Sequence, residues 1–142
     1  MRLWHIDLID VLPRQQLLAQ WRELNSIFKK QDNHILINFV YDYSKWNLLF
    51  YTDRIIEEFD KRGYRINKIE NYAEYFKSIN ILEYSKIKEK GFKIYPKKMD
   101  DIYLRECLYN LEEKAICGGI TKKEWNKIYV KYKDKFDLWN GE

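Results

Sequence analysis

Arg22 and Glu23 are the residues of this chain whose setting suggests chemistry. They lie in a segment where apolar side chains recur at Leu17, Leu18, Trp21, Leu24 and Phe28, the spacing of a helix. Turning about 100° per residue, these five form one stripe. Gln15, Gln16, Ala19, Arg22, Glu23 and Ser26 fall on the opposite side, within an arc of about 120°. One carboxylate therefore stands beside a guanidinium, two amides and a small gap at Ala19. Upstream lies the chain terminus, Met1, whose α-amino group has a reference pKa of about 7.7–8.0. A useful fraction of such an amine is unprotonated near neutral pH, so it can act as a nucleophile where an unperturbed lysine cannot. A carboxylate beside an arginine, a few residues downstream of a free chain terminus, is a combination that suggests chemistry. An ordinary solvated face is the other reading of the same residues.

Arg2, Arg14 and Arg22 concentrate positive charge near the amino terminus, and guanidinium forks suit phosphates. Three solubilising arginines would have the same spacing. Lys123, Lys127 and Lys131 line one face of a carboxyl-terminal segment at helical spacing, interleaved with Trp125, Tyr129 and Tyr132. That mixture can track phosphates and stack bases, or it can be an amphipathic helix with its rings in the core. His5 and His34 are the only histidines, and no Cys stands at metal-ligand spacing to either, so no metal and no cofactor is expected. Neither a Gly-rich phosphate loop nor a Ser nucleophile elbow occurs.

The elements that must position these residues are read as helices. With five Gly and two Pro among 142 residues, the chain has few of the turn formers an all-β protein needs. Pro13 suits the first turn of the first helix. His34 to Tyr43 is rich in β formers but has no partner run, so it reads as packed irregular or helical chain. Ser44 caps a second helix that ends at Lys61-Arg62-Gly63. Residues 70–89 form a weaker helical stretch closed by Gly91. Met99 to Cys117 is the next helix, with Ile102, Leu104, Cys107, Leu108, Leu111 and Ala115 inward and Gly118-Gly119 as its stop. Thr121 with Glu124 makes a capping box that opens the last helix, striped by Trp125, Ile128, Tyr129, Tyr132 and Phe136. The expected architecture is all-α, a single compact domain over residues 1–142.

Composition agrees with a folded chain. Hydrophobic residues make up 46 % and aromatics 17 %, with twelve Tyr and five Trp. The net charge of +4 is compatible with an anionic partner. Cys107 and Cys117 would sit about 15 Å apart on one helix, too far to bridge. No apolar run spans a bilayer and no signal peptide opens the chain, so a soluble cytoplasmic protein is expected.

The first two dozen residues resemble the pyrimidine-dimer DNA glycosylase family, the phage-type endonuclease V group. The resemblance rests on the opening Met1-Arg2-Leu3-Trp4-His5 and on Leu12-Pro13-Arg14-Gln15-Gln16-Leu17-Leu18-Ala19-Gln20-Trp21-Arg22-Glu23-Leu24. A looser second patch covers His34, Phe39-Val40-Tyr41 and Lys61-Arg62-Gly63-Tyr64. The resemblance implies an all-α fold and a reaction in which the α-amino group attacks the sugar C1′ of a damaged nucleotide. The base leaves, and the resulting imine lets the 3′ phosphate depart by β-elimination. It implies Met1 as nucleophile and Glu23 as the catalytic glutamate. Arg22 corresponds to a phosphate-contacting arginine, Arg2 to the arginine after the nucleophile, and Gln15 and Gln16 to a DNA-contacting Gln-His pair. Arg14 is added as a DNA-binding residue from its charge.

Departures from the family pattern are specific. Arg2 is too large for ordinary initiator-Met removal, so Met1 stands where the phage enzyme exposes Thr. Gln16 replaces His, Ser26 replaces another arginine, and the segment 25–40 is shorter. The expectation is a monomeric DNA repair glycosylase with AP-lyase activity on double-stranded DNA bearing a dimer or abasic site. A non-catalytic DNA-binding protein on the same scaffold and a small helical interaction module are the alternatives.

Overall fold

In the computed structural model, which describes residues 2–30 and 34–141, the chain is built from six α-helices and two short 3-10 helices. They run 3-10 helix Ile6–Val11, α1 Arg14–Lys30, 3-10 helix Asn38–Asp42, α2 Lys45–Arg62, α3 Ile69–Tyr75, α4 Ile81–Glu89, α5 Asp101–Ile116 and α6 Lys122–Gly141. No strand occurs among the described residues, so the fold is all-α as expected from the scarcity of turn residues.

Helix α1 forms because its apolar positions fall on one side. Leu17, Trp21, Leu24 and Ile27 are buried against the other elements, while Leu18 and Phe28 are half-buried. Pro13 stands just ahead of the helix, and its carbonyl accepts the Leu17 N–H, one position earlier than expected. The next orphan donor, the Arg14 N–H, is taken by the Glu124 carboxylate of α6 at 2.9 Å. The same carboxylate closes the capping box at the start of α6. Its Oε1 accepts from the Thr121 N–H at 3.1 Å, and the Glu124 N–H donates to Thr121 Oγ1 at 3.1 Å. One side chain thus serves two helix amino termini. Burial works against its charge, but the Arg14 and Thr121 donors and the neighbouring Arg62 outweigh it and hold the carboxyl below its usual range.

Helix α2 ends as its sequence announces. Gly63 takes a left-handed conformation with φ of 72°, and the Tyr64 N–H returns to the Phe59 carbonyl. Ser44 occupies the cap position of α2, but its hydroxyl accepts from the Asn47 side chain rather than from backbone.

Three expectations need correction. Residues 70–89 are two helices, because Asn80 accepts from the Leu82 and Glu83 N–H groups and starts α4 anew. Helix α5 begins at Asp101, with the Asp100 side chain capping the Tyr103 N–H at 2.8 Å, so Met99 lies before it. Ile102 is 72 % exposed, and the ring of Tyr103 is buried in its place. Helix α6 departs from helical geometry at Tyr132 (φ −114°, ψ 17°), where the Tyr132 hydroxyl reaches the Asp7 carbonyl at 2.8 Å.

The core is one cluster spanning the amino-terminal segment and every helix except α3. Cys107 is buried and Cys117 exposed, both as free thiols. No helix among the described residues is long and apolar enough to cross a membrane.

Candidate active site

Residues 2–4 lie outside any helix or strand, so their buried backbone groups need other partners. Side chains from three helices supply them. The Tyr103 hydroxyl of α5 donates to the Leu3 carbonyl. The Tyr51 hydroxyl of α2 lies 2.8 Å from the Trp4 carbonyl and 2.7 Å from Gln20 Oε1, its proton shared between them. Gln20 of α1 does the rest: its Oε1 accepts from the Trp4 N–H at 2.9 Å, and its Nε2 donates to the Arg2 carbonyl at 3.0 Å. Burial drives the Tyr51 and Tyr103 hydroxyls far up in pKa, so both remain proton donors at neutral pH.

Gln20 has a second Nε2 proton, and it goes to Glu23 Oε2 at 2.9 Å. One fully buried amide therefore joins the start of the chain to the carboxylate three residues along α1. Every hydrogen-bonding site of that amide is occupied. Glu23 itself is only half-buried and opens onto a cavity of about 410 Å³.

The cavity gathers most of the polar face read from the sequence. Gln15, Gln16, Ala19, Arg22 and Glu23 of α1 line it together with Arg2 and Trp4. Arg2 lays its guanidinium 5.7 Å from the Trp4 ring centroid, with one nitrogen 4.0 Å from Cys107 Sγ. The far wall comes from Asn110 and Lys114 of α5, and Leu36 stands at one side. Burial raises the Cys107 thiol, so it stays protonated and inert beside the site. The amine expected as nucleophile belongs to Met1, which lies outside the described residues.

Arg14 is not brought to this cavity. It faces a second groove of about 450 Å³ with Lys61, Arg62, Lys123 and Lys127, its guanidinium 5.6 Å from the Tyr64 ring centroid. Ser26 faces a third hollow, shared with Arg22, Lys29, Lys30 and Lys68. Lys131 is committed elsewhere: its ammonium donates to the Asp7 carbonyl at 2.7 Å and to Asp10 Oδ1 at 2.6 Å. Tyr132 is buried and Trp125 half-buried, so most of the carboxyl-terminal rings serve packing.

The sequence reading missed Gln20, Tyr51, Asn110 and Lys114. Gln20 had a signal, a lone amide between Leu17, Trp21 and Leu24 on the buried side of α1. Asn110 and Lys114 had only their i, i+4 spacing on α5. Among the described residues, no three His, Cys, Asp or Glu side chains converge as a metal site requires.

Residues 1–71 match the model of the pyrimidine dimer DNA glycosylase family. The chain belongs to that family. The matched segment carries α1, the amino-terminal segment and the Gln20 amide, all of the near wall of the cavity. The far wall, Asn110 and Lys114, is contributed by α5, beyond the match. Membership in the pyrimidine dimer DNA glycosylase family supports a DNA repair glycosylase and a DNA substrate. No curated protein and no solved structure matches the chain.

Proposed function

We propose that this protein is a DNA repair glycosylase and AP lyase, acting on pyrimidine dimers or abasic sites in double-stranded DNA through the α-amino group of Met1. One observation carries the reading: the Gln20 amide bonds both the Arg2 carbonyl and Glu23 Oε2. The carbonyl of Arg2, the residue after Met1, is thereby tethered to the one carboxylate that lines the cavity among the described residues.

The unprotonated amine attacks C1′ of the damaged nucleotide, the C1′–N bond to the base breaks, and the base leaves with its electron pair and a proton. Ring opening gives an imine between the Met1 nitrogen and C1′. Loss of a C2′ proton then expels the 3′ phosphate by β-elimination. The Glu23 carboxylate lies where positive charge develops at C1′, and it accepts and returns the protons that these steps move. Arg2 and Arg22 add positive charge that favours the neutral amine and holds the flanking phosphates. Gln15 and Gln16 contact the distorted nucleotide. Ala19 leaves room for the sugar, since a larger side chain there would fill the cavity beside Glu23. Arg14 lies nine residues before Glu23 on the same helix, about 14 Å along its axis. It would take a phosphate away from the lesion. We read residues 1–142 as one domain that acts as a monomer, since a repair enzyme of this size can act alone.

Borohydride reduction in the presence of abasic or dimer-containing duplex tests this directly, using protein with its native, untagged terminus. A covalent protein–DNA adduct is expected, lost on acetylation of the terminal amine. Salt-sensitive binding without any adduct would sink the catalytic reading and leave a DNA-binding protein.

A further inference from the structure

Two consecutive aliphatic side chains, Ile35 and Leu36, stand in the open. Ile35 is 83 % exposed and Leu36 is 41 % exposed, and Leu36 lines the same cavity as Glu23. Other exposed aliphatics, such as Ile81, Leu82 and Val130, lie away from that cavity.

The turn that presents the pair is pinned on both sides. His34 Nδ1 accepts the Leu36 N–H at 3.2 Å, and the His34 carbonyl accepts the Ile37 and Asn38 N–H groups at 2.9 and 3.0 Å. Ile37 is fully buried in the core. The backbone is therefore locked in a conformation that buries one aliphatic and leaves the two before it in water, an arrangement that folding alone does not favour.

The rim around Leu36 is cationic, with Arg2, Arg22 and Lys114 on the same cavity. A partner that matches both must be anionic outside and apolar within. Duplex DNA has that character, with charged backbones around a stack of bases. Aliphatic wedges that enter a base step unstack it, and a nucleotide whose C1′ must be reached has to leave the stack. We propose that Leu36, backed by Ile35, enters the base stack of bound duplex beside the lesion and holds open the gap left by the displaced nucleotide. The inference rests on the DNA glycosylase reading and adds to it a device for distorting the substrate.

The test uses the full-length protein with its native terminus, in the forms Leu36→Ala, Ile35→Ala/Leu36→Ala and Leu36→Met. The probes are a duplex with 2-aminopurine beside an abasic site and the same abasic strand left single. With wild-type protein bound, 2-aminopurine fluorescence rises as its neighbour is unstacked. In the double variant that rise is lost, and single-turnover cleavage of the duplex falls by about tenfold, well beyond the fall on the single strand. Leu36→Met, still a flexible apolar wedge, restores most of both signals. Equal losses on duplex and single strand, or no loss on either, would overturn the wedge while leaving the glycosylase reading intact. If wild-type protein binds the duplex but cleaves neither substrate, the glycosylase reading fails. The fluorescence then decides the wedge, which a flat signal overturns. Absence of any binding overturns both.

Discussion

The two cavities that share the first turn of α1 differ in what their carboxylates do. In the Glu23 cavity the acid accepts from the Gln20 amide and lines the cavity beside Arg2 and Arg22. In the Arg14 groove both acids are consumed by the fold. Glu58 pairs with Arg54 at 3.1 Å and Arg62 at 2.9 Å, and Glu124 holds two helix amino termini. What remains for a ligand in that groove is positive charge from Arg14, Lys123 and Lys127. On the proposed function the first cavity moves protons and the second attracts an anion. Counting charged residues along α1 would not separate them, since Arg14 and Arg22 look alike in sequence. The difference lies in the tertiary contacts, which hold Glu58 in ion pairs and Glu124 in helix caps and set Glu23 beside Arg2 and Gln20.

Four substitutions sharpen or break this contrast. Glu23→Gln removes the proton acceptor while its amide can still accept from Gln20. Strand cleavage of abasic DNA should fall by about a thousandfold or more with binding retained, read by single-turnover kinetics beside a gel-shift titration. Comparable cleavage in the variant would remove Glu23 from the chemistry. Gln20→Leu strips the Trp4 N–H and the Arg2 carbonyl of their buried partners. A stability loss of about 2–4 kcal/mol is expected in urea denaturation, with cleavage reduced further than stability explains.

Glu124→Ala in the second groove should cost about 1–2 kcal/mol through two lost caps and leave cleavage near wild type. Its pH signature has a definite sign. The folded pKa is depressed, so the contribution is complete above the ordinary carboxyl value of about 4.3 and is lost as pH falls through the lower folded value. The difference in stability between wild type and Glu124→Ala should therefore shrink below about pH 4.3 in thermal melts. Arg14→Ala should have the smallest effect, reducing the salt slope of DNA binding by about one and the affinity a few-fold, uniformly across sequences. A loss of lesion preference in Arg14→Ala would mean that the groove does more than hold phosphate.

A separate pH effect distinguishes the opposite end of the scale. The Tyr72 and Tyr84 hydroxyls donate to the two oxygens of Asp53 at 2.7 and 2.8 Å, and burial together with that carboxylate raises both pKa values. An unfolded tyrosine ionises near pH 10, so the native state binds more protons above that point. Stability should fall as pH rises past about 10, and Tyr84→Phe should blunt the fall, as followed by circular dichroism. Neither cavity should register this change, because none of these residues lines them.

Much of the site is legible in the sequence. Gln15, Gln16, Ala19, Arg22 and Glu23 share a cavity because helical periodicity alone puts them on one side of α1. The Gly63 cap and the Thr121–Glu124 box are legible because each depends on residues adjacent in sequence. Ile102 and Tyr103 are not, because both fit an amphipathic α5. The choice between them turns on the Leu3 carbonyl, which only Tyr103 could satisfy. Arg14 groups with Arg22 in the sequence because charge is visible there and the direction of a side chain is not.

The sequence by itself determined the helical class of the fold, the polar face of α1 and the carboxylate at Glu23, since these follow from local periodicity and side-chain chemistry. Only the tertiary structure decided where residues 2–4 lie. Residues 2–4 carry buried backbone groups that no local partner can satisfy, so Gln20, Tyr51 and Tyr103 must reach in from α1, α2 and α5. That need for buried hydrogen bonds, invisible in any one segment, brings Arg2 to Glu23 and separates Arg14 from both.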